Sequence, residues 1–299
     1  MRLRATSACL SAVLLSAGLL VSGCADPGAA PAPNTNSNSQ VEDDGDEADE
    51  TVTETVDEEE SPAPSYTPRT VGDGEVKGAL TVLAPDSLKG SMPAAADGFQ
   101  KKNPGVQVKV VYLPSEQLAA EVVSGKAKAD VVIAGSSNDF STLFSKNAVG
   151  EPSIIARSVM ALVVPKANPK KIGKVSDLAG KNVGMCAAAA GCGPAGAELL
   201  GAAKVNAGKV VRGPGAAGVI DLVAKGRADA GIVGLVDAKA AGAVKTVEVP
   251  DNLKSVQLTF LAAPALGTKN GGTAKSFIGF LALDPIADAA LKKAGLETM

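Results

Sequence analysis

The pattern of hydrophobic and polar positions changes abruptly near residue 75. From there on, apolar runs of strand length alternate with longer, Ala-rich stretches in which apolar residues recur every three or four positions. This alternation is typical of α/β proteins, in which helical crossovers connect parallel strands. The apolar runs predict seven strands, at Ala79–Ala84, Val106–Tyr112, Asp130–Ala134, Val159–Val164, Asn182–Met185, Lys209–Val211 and Asp229–Val233.

Helical periodicity follows most of these strands and continues to the C-terminal end. About 225 residues in such a pattern are long for one small sheet and suit two lobes. We expect a first lobe at 76–157 plus 244–299 and a second lobe at 158–243, with a hinge where the chain crosses between them and a ligand cleft in the middle. The predicted helices are Met92–Lys101, Glu116–Gly125, Asn138–Ser145, Pro194–Val205, Gly218–Lys225, a helix carrying Ala274, Phe277, Ile278 and Leu281, and Ile286–Lys293.

The N-terminal residues 1–23 have the features of an export signal. Arg2 and Arg4 precede an uncharged apolar stretch at 5–21 that is short for a membrane span and ends in small residues. The sequence Leu-Val-Ser-Gly-Cys at 20–24 resembles the lipobox of bacterial lipoproteins, which implies cleavage before Cys24 and a lipid on its sulfur. The alternative is a plain signal peptide that contains a cysteine. No other stretch reaches the roughly 20 apolar residues of a spanning helix.

Residues 24–75 form an acidic stretch with very few large apolar side chains. Between Asp26 and Glu60 there are 13 acidic residues and no basic ones. Such a composition cannot bury enough surface to offset the entropy of ordering, so we expect a disordered linker that its own charges extend. Together with a lipid on Cys24, this predicts a protein anchored at the outer face of the cell membrane and attached to it through the lipid alone.

Charge and residue content narrow the possible functions of the remaining chain. From Thr70 to Met299 there are 26 Lys and Arg against 19 Asp and Glu, so this part carries +7 although the whole chain carries −3. That balance is compatible with an anionic ligand, whereas the few aromatic residues and the lack of a basic stripe argue against nucleic acid. The sequence has no His, which removes the commonest general base and metal ligand and argues against an enzyme.

Two of the four cysteines remain for the folded part of the chain. Cys9 would leave with the signal and Cys24 would carry the lipid, whereas Cys186 and Cys192 stand six residues apart. In an oxidising compartment this pair predicts a disulfide. Redox pairs more often have the spacing Cys-x-x-Cys, so we do not expect redox chemistry.

Candidate ligand residues follow the ends of the predicted strands. In open α/β sheets, ligands bind at the carboxyl ends of strands, where helix N-termini offer unpaired N–H groups to anions. Each turn also has a structural explanation, because serine commonly caps helices and glycine permits tight turns. The turns contain Asp86-Ser87, Pro114-Ser115, Gly135-Ser136-Ser137, Gly191-Cys192-Gly193, Gly213–Gly218 and Gly234.

A succession of short motifs across residues 78–296 resembles the molybdate-binding proteins of ABC transporters. The resemblance implies a two-lobed periplasmic-binding-protein fold of type II, which captures molybdate or tungstate for an ABC permease as a monomer and without a cofactor. The motifs are LTVLAPDS at Leu80–Ser87, SEQL at Ser115–Leu118, GKAKAD at Gly125–Asp130, VGMC at Val183–Cys186, Cys192-Gly193, GIV at Gly231–Val233, Asp237-Ala238 and VEVP at Val247–Pro250.

The resemblance also implies a set of ligand donors. By position, Ser87 and Ser115 match the two hydroxyl donors of the family, and Cys192 and Ala216 match its backbone N–H donors. No side chain is expected to coordinate the metal atom itself, because the donors bind the oxygens of the oxyanion. The fifth position is occupied by Gly234, where many members of the family have a tyrosine.

Two departures from the family leave the identity of the ligand open. Gly234 lacks the tyrosine hydroxyl, and Asp86 replaces a small residue before the first serine. If the Asp86 carboxylate faced the cleft, it would favour a protonated oxyanion such as hydrogen phosphate, so a receptor for phosphate, sulfate or another small solute is the main alternative. Two further alternatives are an enzyme on the same scaffold and a lipoprotein that has lost its ligand.

Overall fold

A computed structural model describes residues 76–299 of the chain. The predicted signal at 1–23, the predicted lipid on Cys24 and the whole of the predicted linker at 24–75 therefore lie outside the described residues, and these three assignments stay predictions. Within the described part, no helix combines the length and the apolar character that crossing a membrane requires.

Within residues 76–299, nine strands form the sheet, and several of them are buried on both faces. β3 and β7 have every residue buried, which explains why they read as continuous apolar runs rather than as alternating ones. The strands are β1 (Gly78–Pro85), β2 (Val106–Leu113), β3 (Val131–Ala134), β4 (Ser153–Pro165), β5 (Asn182–Cys186), β6 (Lys209–Gly213), β7 (Ala230–Gly234), β8 (Val244–Glu248) and β9 (Gln257–Pro264).

In the described part of the chain, eight α-helices cover the sheet, and short 3-10 helices lie at Asp86–Gly90, Val175–Leu178 and Asp251–Leu253. Every predicted helix is present within a few residues of its expected bounds. The helices are α1 (Met92–Lys102), α2 (Ser115–Val123), α3 (Ser137–Ser145), α4 (Cys192–Ala202), α5 (Ala216–Ala224), α6 (Leu235–Ala240), α7 (Gly271–Leu283) and α8 (Pro285–Lys293).

The strand order is β2-β1-β3-β9-β4-β7-β5-β6, with β8 paired to β4. β1 is parallel to β2 and β3, and β5 is parallel to β6 and β7, as the alternation of strands and helices predicted. The alternation did not reveal the antiparallel pairs: β9 runs antiparallel to β3 and β4, and β4 runs antiparallel to β7 and β8. The fold class is α/β with a mixed sheet.

β4 changes its partners along its length. Its residues up to Val159 pair with β9, whereas those from Met160 on pair with β7. β4 is therefore shared by a first half-sheet, made with β1, β2, β3 and β9, and a second half-sheet, made with β5, β6, β7 and β8. The predicted lobe boundaries after residues 157 and 243 remain a prediction, and β4 provides one physical link between the two halves.

Three elements were not predicted from the sequence. β8 has only one buried residue, α6 has only six residues, and β9 contains two alanines and ends in a proline, so each gives a weak local signal. β9 nevertheless lies in the middle of the sheet, and Phe260 on it is fully buried. Its position there comes from pairing with β3 and β4, which are distant in sequence.

The C-terminal helix α7 packs against β1, β4 and β9, and it meets α1 through aromatic contacts. Phe99 on α1 meets Phe277 and Phe280 on α7 with ring centroids 5.1 and 5.3 Å apart, in edge-to-face geometry. Such pairs stabilise the packing beyond the burial of their area. The last residues of the chain thereby belong to the same core as the first strand, which holds the loops after β1 and β2 in place.

Candidate functional site

A pocket lies where loops from the two half-sheets face each other at the carboxyl ends of the strands. Each loop follows a strand and leads into a helix, as expected for ligand sites in open α/β sheets. In the part of the chain that the structure describes, no Lys or Arg side chain lines this pocket. Its lining consists of Ser87, Ser115, Glu116, Gly135, Ala190, Gly191, Cys192, Gly215, Ala216, Asp237, Leu258 and Phe260.

Two serine hydroxyls enter the pocket from the first half-sheet. Ser87 lies in the 3-10 helix directly after β1, and Ser115 is the first residue of α2 after β2. The alternative that these serines merely cap helices is not supported, because neither helix has a side-chain capping bond. No described residue forms a hydrogen bond with either hydroxyl, so both O–H groups are free to donate to a ligand.

Two helix N-termini reach the pocket from the second half-sheet. Cys192 is the first residue of α4, which follows Gly191, and Ala216 is the first residue of α5, which follows Gly215. The N–H groups of a first helical turn have no partner within the helix and carry partial positive charge. The structure therefore brings together four of the five predicted ligand residues, two as hydroxyls and two as backbone N–H groups.

The predicted disulfide between Cys186 and Cys192 is present. The sulfur atoms are 2.12 Å apart, and the bond joins the end of β5 to the first residue of α4. Arg212 adds a second constraint, because its Nη1 donates a hydrogen bond to the carbonyl oxygen of Cys186 at 2.7 Å. Together these contacts hold the loop that presents the Cys192 N–H.

The loops from the two half-sheets approach closely through glycines. A Cβ atom added to Gly191 would lie 2.4 Å from Cβ of Ser136, and one added to Gly215 would lie 2.4 Å from Oε2 of Glu116. Ser136 caps α3, since its Oγ accepts from the N–H of Asp139 at 3.1 Å and donates to Oδ2 of that residue at 2.7 Å. Glycine is thus required at position 191 by this close approach.

Gly234, the fifth predicted ligand residue, does not line the pocket. It precedes α6, and the nearby space is taken by the Asp237 carboxyl group, whose Oδ2 would lie 3.2 Å from a Cβ atom on Gly234. Asp237 itself lines the pocket. A ligand role for Gly234 stays a prediction, and a carboxyl group stands beside the position where the family's tyrosine was expected.

Asp86, the other departure from the family, forms an ion pair with Lys89. The Lys89 Nζ lies 2.8 Å from Oδ1 of Asp86, and the Asp86 side chain is 40% exposed. Asp86 is absent from the lining of the pocket. Asp86 therefore does not face the cleft, and it gives no reason to favour a protonated ligand.

Sequence reasoning missed two carboxylates that do line the pocket, Glu116 and Asp237. Burial raises the pKa of Asp237 to about 7, and the nearby charge of Asp86 acts in the same direction. Glu116 directly follows Ser115, so its place was readable from the sequence, whereas Asp237 reaches the pocket only because α6 packs against β4. Among the described residues, no group of three or more Asp, Glu or Cys side chains is placed to hold a metal ion.

The chain matches known proteins in sequence and in fold. Residues 80–297 match the family described as bacterial extracellular solute-binding protein. The molybdate-binding protein ModA of Mycobacterium tuberculosis is 28% identical over 223 residues, which are 73% of this chain and 85% of that protein.

Two solved structures show the same architecture. The periplasmic molybdate-binding protein of Azotobacter vinelandii has a TM-score of 0.59 at 19% identity, and the match covers 74% of this chain and 99% of that one. The sulfate-binding protein SubI of M. tuberculosis has a TM-score of 0.61 at 21% identity, with 74% and 87% covered. At this identity the structures show the fold alone, which is the two-lobed fold of periplasmic binding proteins.

The match to the family model spans most of the described residues, including every residue that lines the pocket. The expectation of a binding protein rather than an enzyme is confirmed by this membership. The chain belongs to the bacterial extracellular solute-binding protein family.

Proposed function

We propose that the protein captures molybdate, and also tungstate, and delivers it to an ABC importer. The observation that carries this proposal is the set of uncharged donors around one pocket, namely two free serine hydroxyls and the first N–H groups of α4 and α5. The similarity to ModA of M. tuberculosis supports the choice of molybdate.

The chemistry of the donors fits a fully deprotonated tetrahedral dianion. Every oxygen of such an ion is an acceptor, and hydroxyl and N–H groups can all donate to it. Hydrogen bonds to a charged acceptor are roughly twice as strong as neutral ones, so a few well-placed donors suffice without a Lys or Arg. Helix N-termini add favourable partial charge.

Capture would involve closure of the two half-sheets around the ion. Binding proteins of this architecture close by hinge motion, and β4 is one strand through which such a hinge would act. The close approach of Gly191 to Ser136 supports a closed arrangement in which donors from both sides reach the same ion.

The proposal places the protein at the outer face of the cell membrane, anchored by a lipid on Cys24 and acting as a monomer. Metabolic labelling with a fatty acid tests the anchor: the wild-type protein should be labelled and sediment with membranes. The Cys24→Ser variant should carry no label. Equal labelling of the two proteins would contradict the anchor at this residue.

Isothermal titration calorimetry of the purified protein with molybdate, tungstate, sulfate and phosphate tests the ligand. Calorimetry is suitable because the chain has no Trp to report binding by fluorescence. We expect molybdate and tungstate to bind more tightly than sulfate and phosphate. No binding of either metal oxyanion would contradict the proposal.

A second candidate ligand is hydrogen phosphate, and Asp237 is the observation that favours it. An ionised carboxylate in the pocket could accept the proton of a protonated oxyanion, whereas it would repel a dianion. The same titration separates the two candidates, because a hydrogen phosphate receptor would bind phosphate more tightly than molybdate.

A further inference from the structure

Asp237 presents a carboxyl group without a partner to the pocket. The residue is half-buried, and burial raises the pKa of its carboxyl group. No described residue donates a hydrogen bond to this group, and its Oδ2 lies in the space beside Gly234. A buried carboxylate with no donor is unfavourable, and a dianion in the same pocket would make it more so.

The charged side chains around Asp237 do not offset the free-energy cost of burying its carboxylate. The neighbouring charge of Asp86 raises the pKa of Asp237 further, and Lys89 is already paired with Asp86. Glu116 lines the same pocket and is also acidic. The other charged side chains on α6 and on the elements packed against it are Arg157 on β4, Asp221 on α5, Lys239 on α6, and Lys245 and Glu248 on β8.

We propose that Asp237 binds the oxyanion in its protonated form, as a hydrogen-bond donor that stands in for the hydroxyl missing at Gly234. This inference rests on the proposed function, since it assumes a ligand that carries no proton of its own. The proton comes from solvent: one H⁺ adds to a carboxylate oxygen of Asp237, and the resulting O–H donates to an oxygen of the ion. Binding of the dianion is then coupled to uptake of one proton.

The coupling has a defined size and direction. Below about pH 7 the free protein already holds the proton on Asp237, so affinity should not change with pH. Above that pH Asp237 must take up a proton from solvent for each ion that binds, and the Kd should rise about tenfold per pH unit. Molybdate remains a dianion throughout, so the ligand itself contributes no such slope.

The test is calorimetric titration of the intact protein with sodium molybdate between pH 6 and pH 9, in buffers of different ionisation enthalpy. At pH 8.5 we expect uptake of close to one proton per ion, and at pH 6 close to none. Asp237→Asn keeps an N–H donor but cannot titrate, so its Kd should lose the tenfold slope. If that variant does not fold, Asp86→Asn serves instead. It removes a negative charge that raises the Asp237 pKa, so the rise of Kd with pH should begin at lower pH than in the wild type.

Asp139→Asn is the matched control. Asp139 is also a buried carboxyl group with a pKa raised by burial, but it is bonded to Ser136 and does not line the pocket. This control should keep the wild-type slope. Molybdate binding with no proton uptake at pH 8.5, or an unchanged slope in Asp237→Asn, would overturn the inference and leave the proposed function intact. Absence of molybdate binding at every pH would overturn both.

Discussion

The close approach of Gly191 to Ser136 offers a direct way to block closure of the pocket. Gly191 has φ −51° and ψ −36°, which is right-handed helical backbone, so alanine fits the local conformation. Its Cβ, however, would lie 2.4 Å from Cβ and 2.8 Å from Oγ of Ser136. Gly191→Ala should therefore leave the fold intact while it separates the loops before α3 and α4.

The size of the effect follows from these distances. Ordinary van der Waals contact begins at 3.4 Å, so the two loops must part by about 1 Å. A hydrogen bond of about 2.9 Å from the Cys192 N–H to the ion would lengthen to about 3.9 Å, beyond bonding distance. Losing one hydrogen bond to a charged group costs about 1.5–3 kcal/mol, so the Kd for molybdate should rise about 10- to 150-fold.

Calorimetric titration with molybdate measures the change, and thermal unfolding of the ligand-free protein checks that the variant is folded. Gly201→Ala is the matched control, because Gly201 lies in the same helix and a Cβ there would meet open space. The control should bind molybdate as the wild type does. Wild-type affinity in Gly191→Ala would refute the reasoning that these loops must touch for the pocket to close.

Three further predictions concern the site and its stability. Ser87→Ala and Ser115→Ala should each raise the molybdate Kd about 10- to 150-fold, because each removes a hydroxyl donor to a charged ligand; calorimetry that finds no change would contradict their role. Replacing both Cys186 and Cys192 by alanine should lower the unfolding free energy by about 2 kcal/mol in denaturant titrations, since the bond closes a seven-residue loop. In the ligand-free protein, Asp237 has a folded pKa of about 7 against 3.8 unfolded, so its contribution to stability is full below pH 4 and is lost as the pH rises through 7. The stability of Asp237→Asn relative to wild type should therefore increase over that range, by up to about 4 kcal/mol, and parallel pH profiles of the two proteins would argue against this titration.

Much of the fold was readable from the sequence, because the strands buried on both faces give long apolar runs. All seven predicted strands and all the predicted helices are present. β9 was missed although Phe260 on it is fully buried, since its sequence is rich in alanine and its antiparallel pairing joins segments far apart in the chain. The local pattern of apolar residues does not indicate which distant segments pair.

The positions of the hydroxyl donors followed from the predicted strands. Ser87 and Ser115 each lie two residues after the end of a strand, and the carboxyl ends of neighbouring parallel strands meet at one edge of a sheet. The sequence therefore determined which loops meet at this edge, and the resemblance to a known family determined which residues in them to consider.

Only the tertiary structure decided the charge of the pocket. The sequence drew attention to Asp86, yet that side chain pairs with Lys89, whereas Asp237 lines the pocket and burial raises its pKa. The order of residues along α6 does not reveal this, because it depends on how the helix packs against β4 and the 3-10 helix at Asp86–Gly90. The sequence determines the elements and their order through local periodicity, and tertiary packing decides which carboxyl group is buried, because burial depends on neighbours that are distant in the chain.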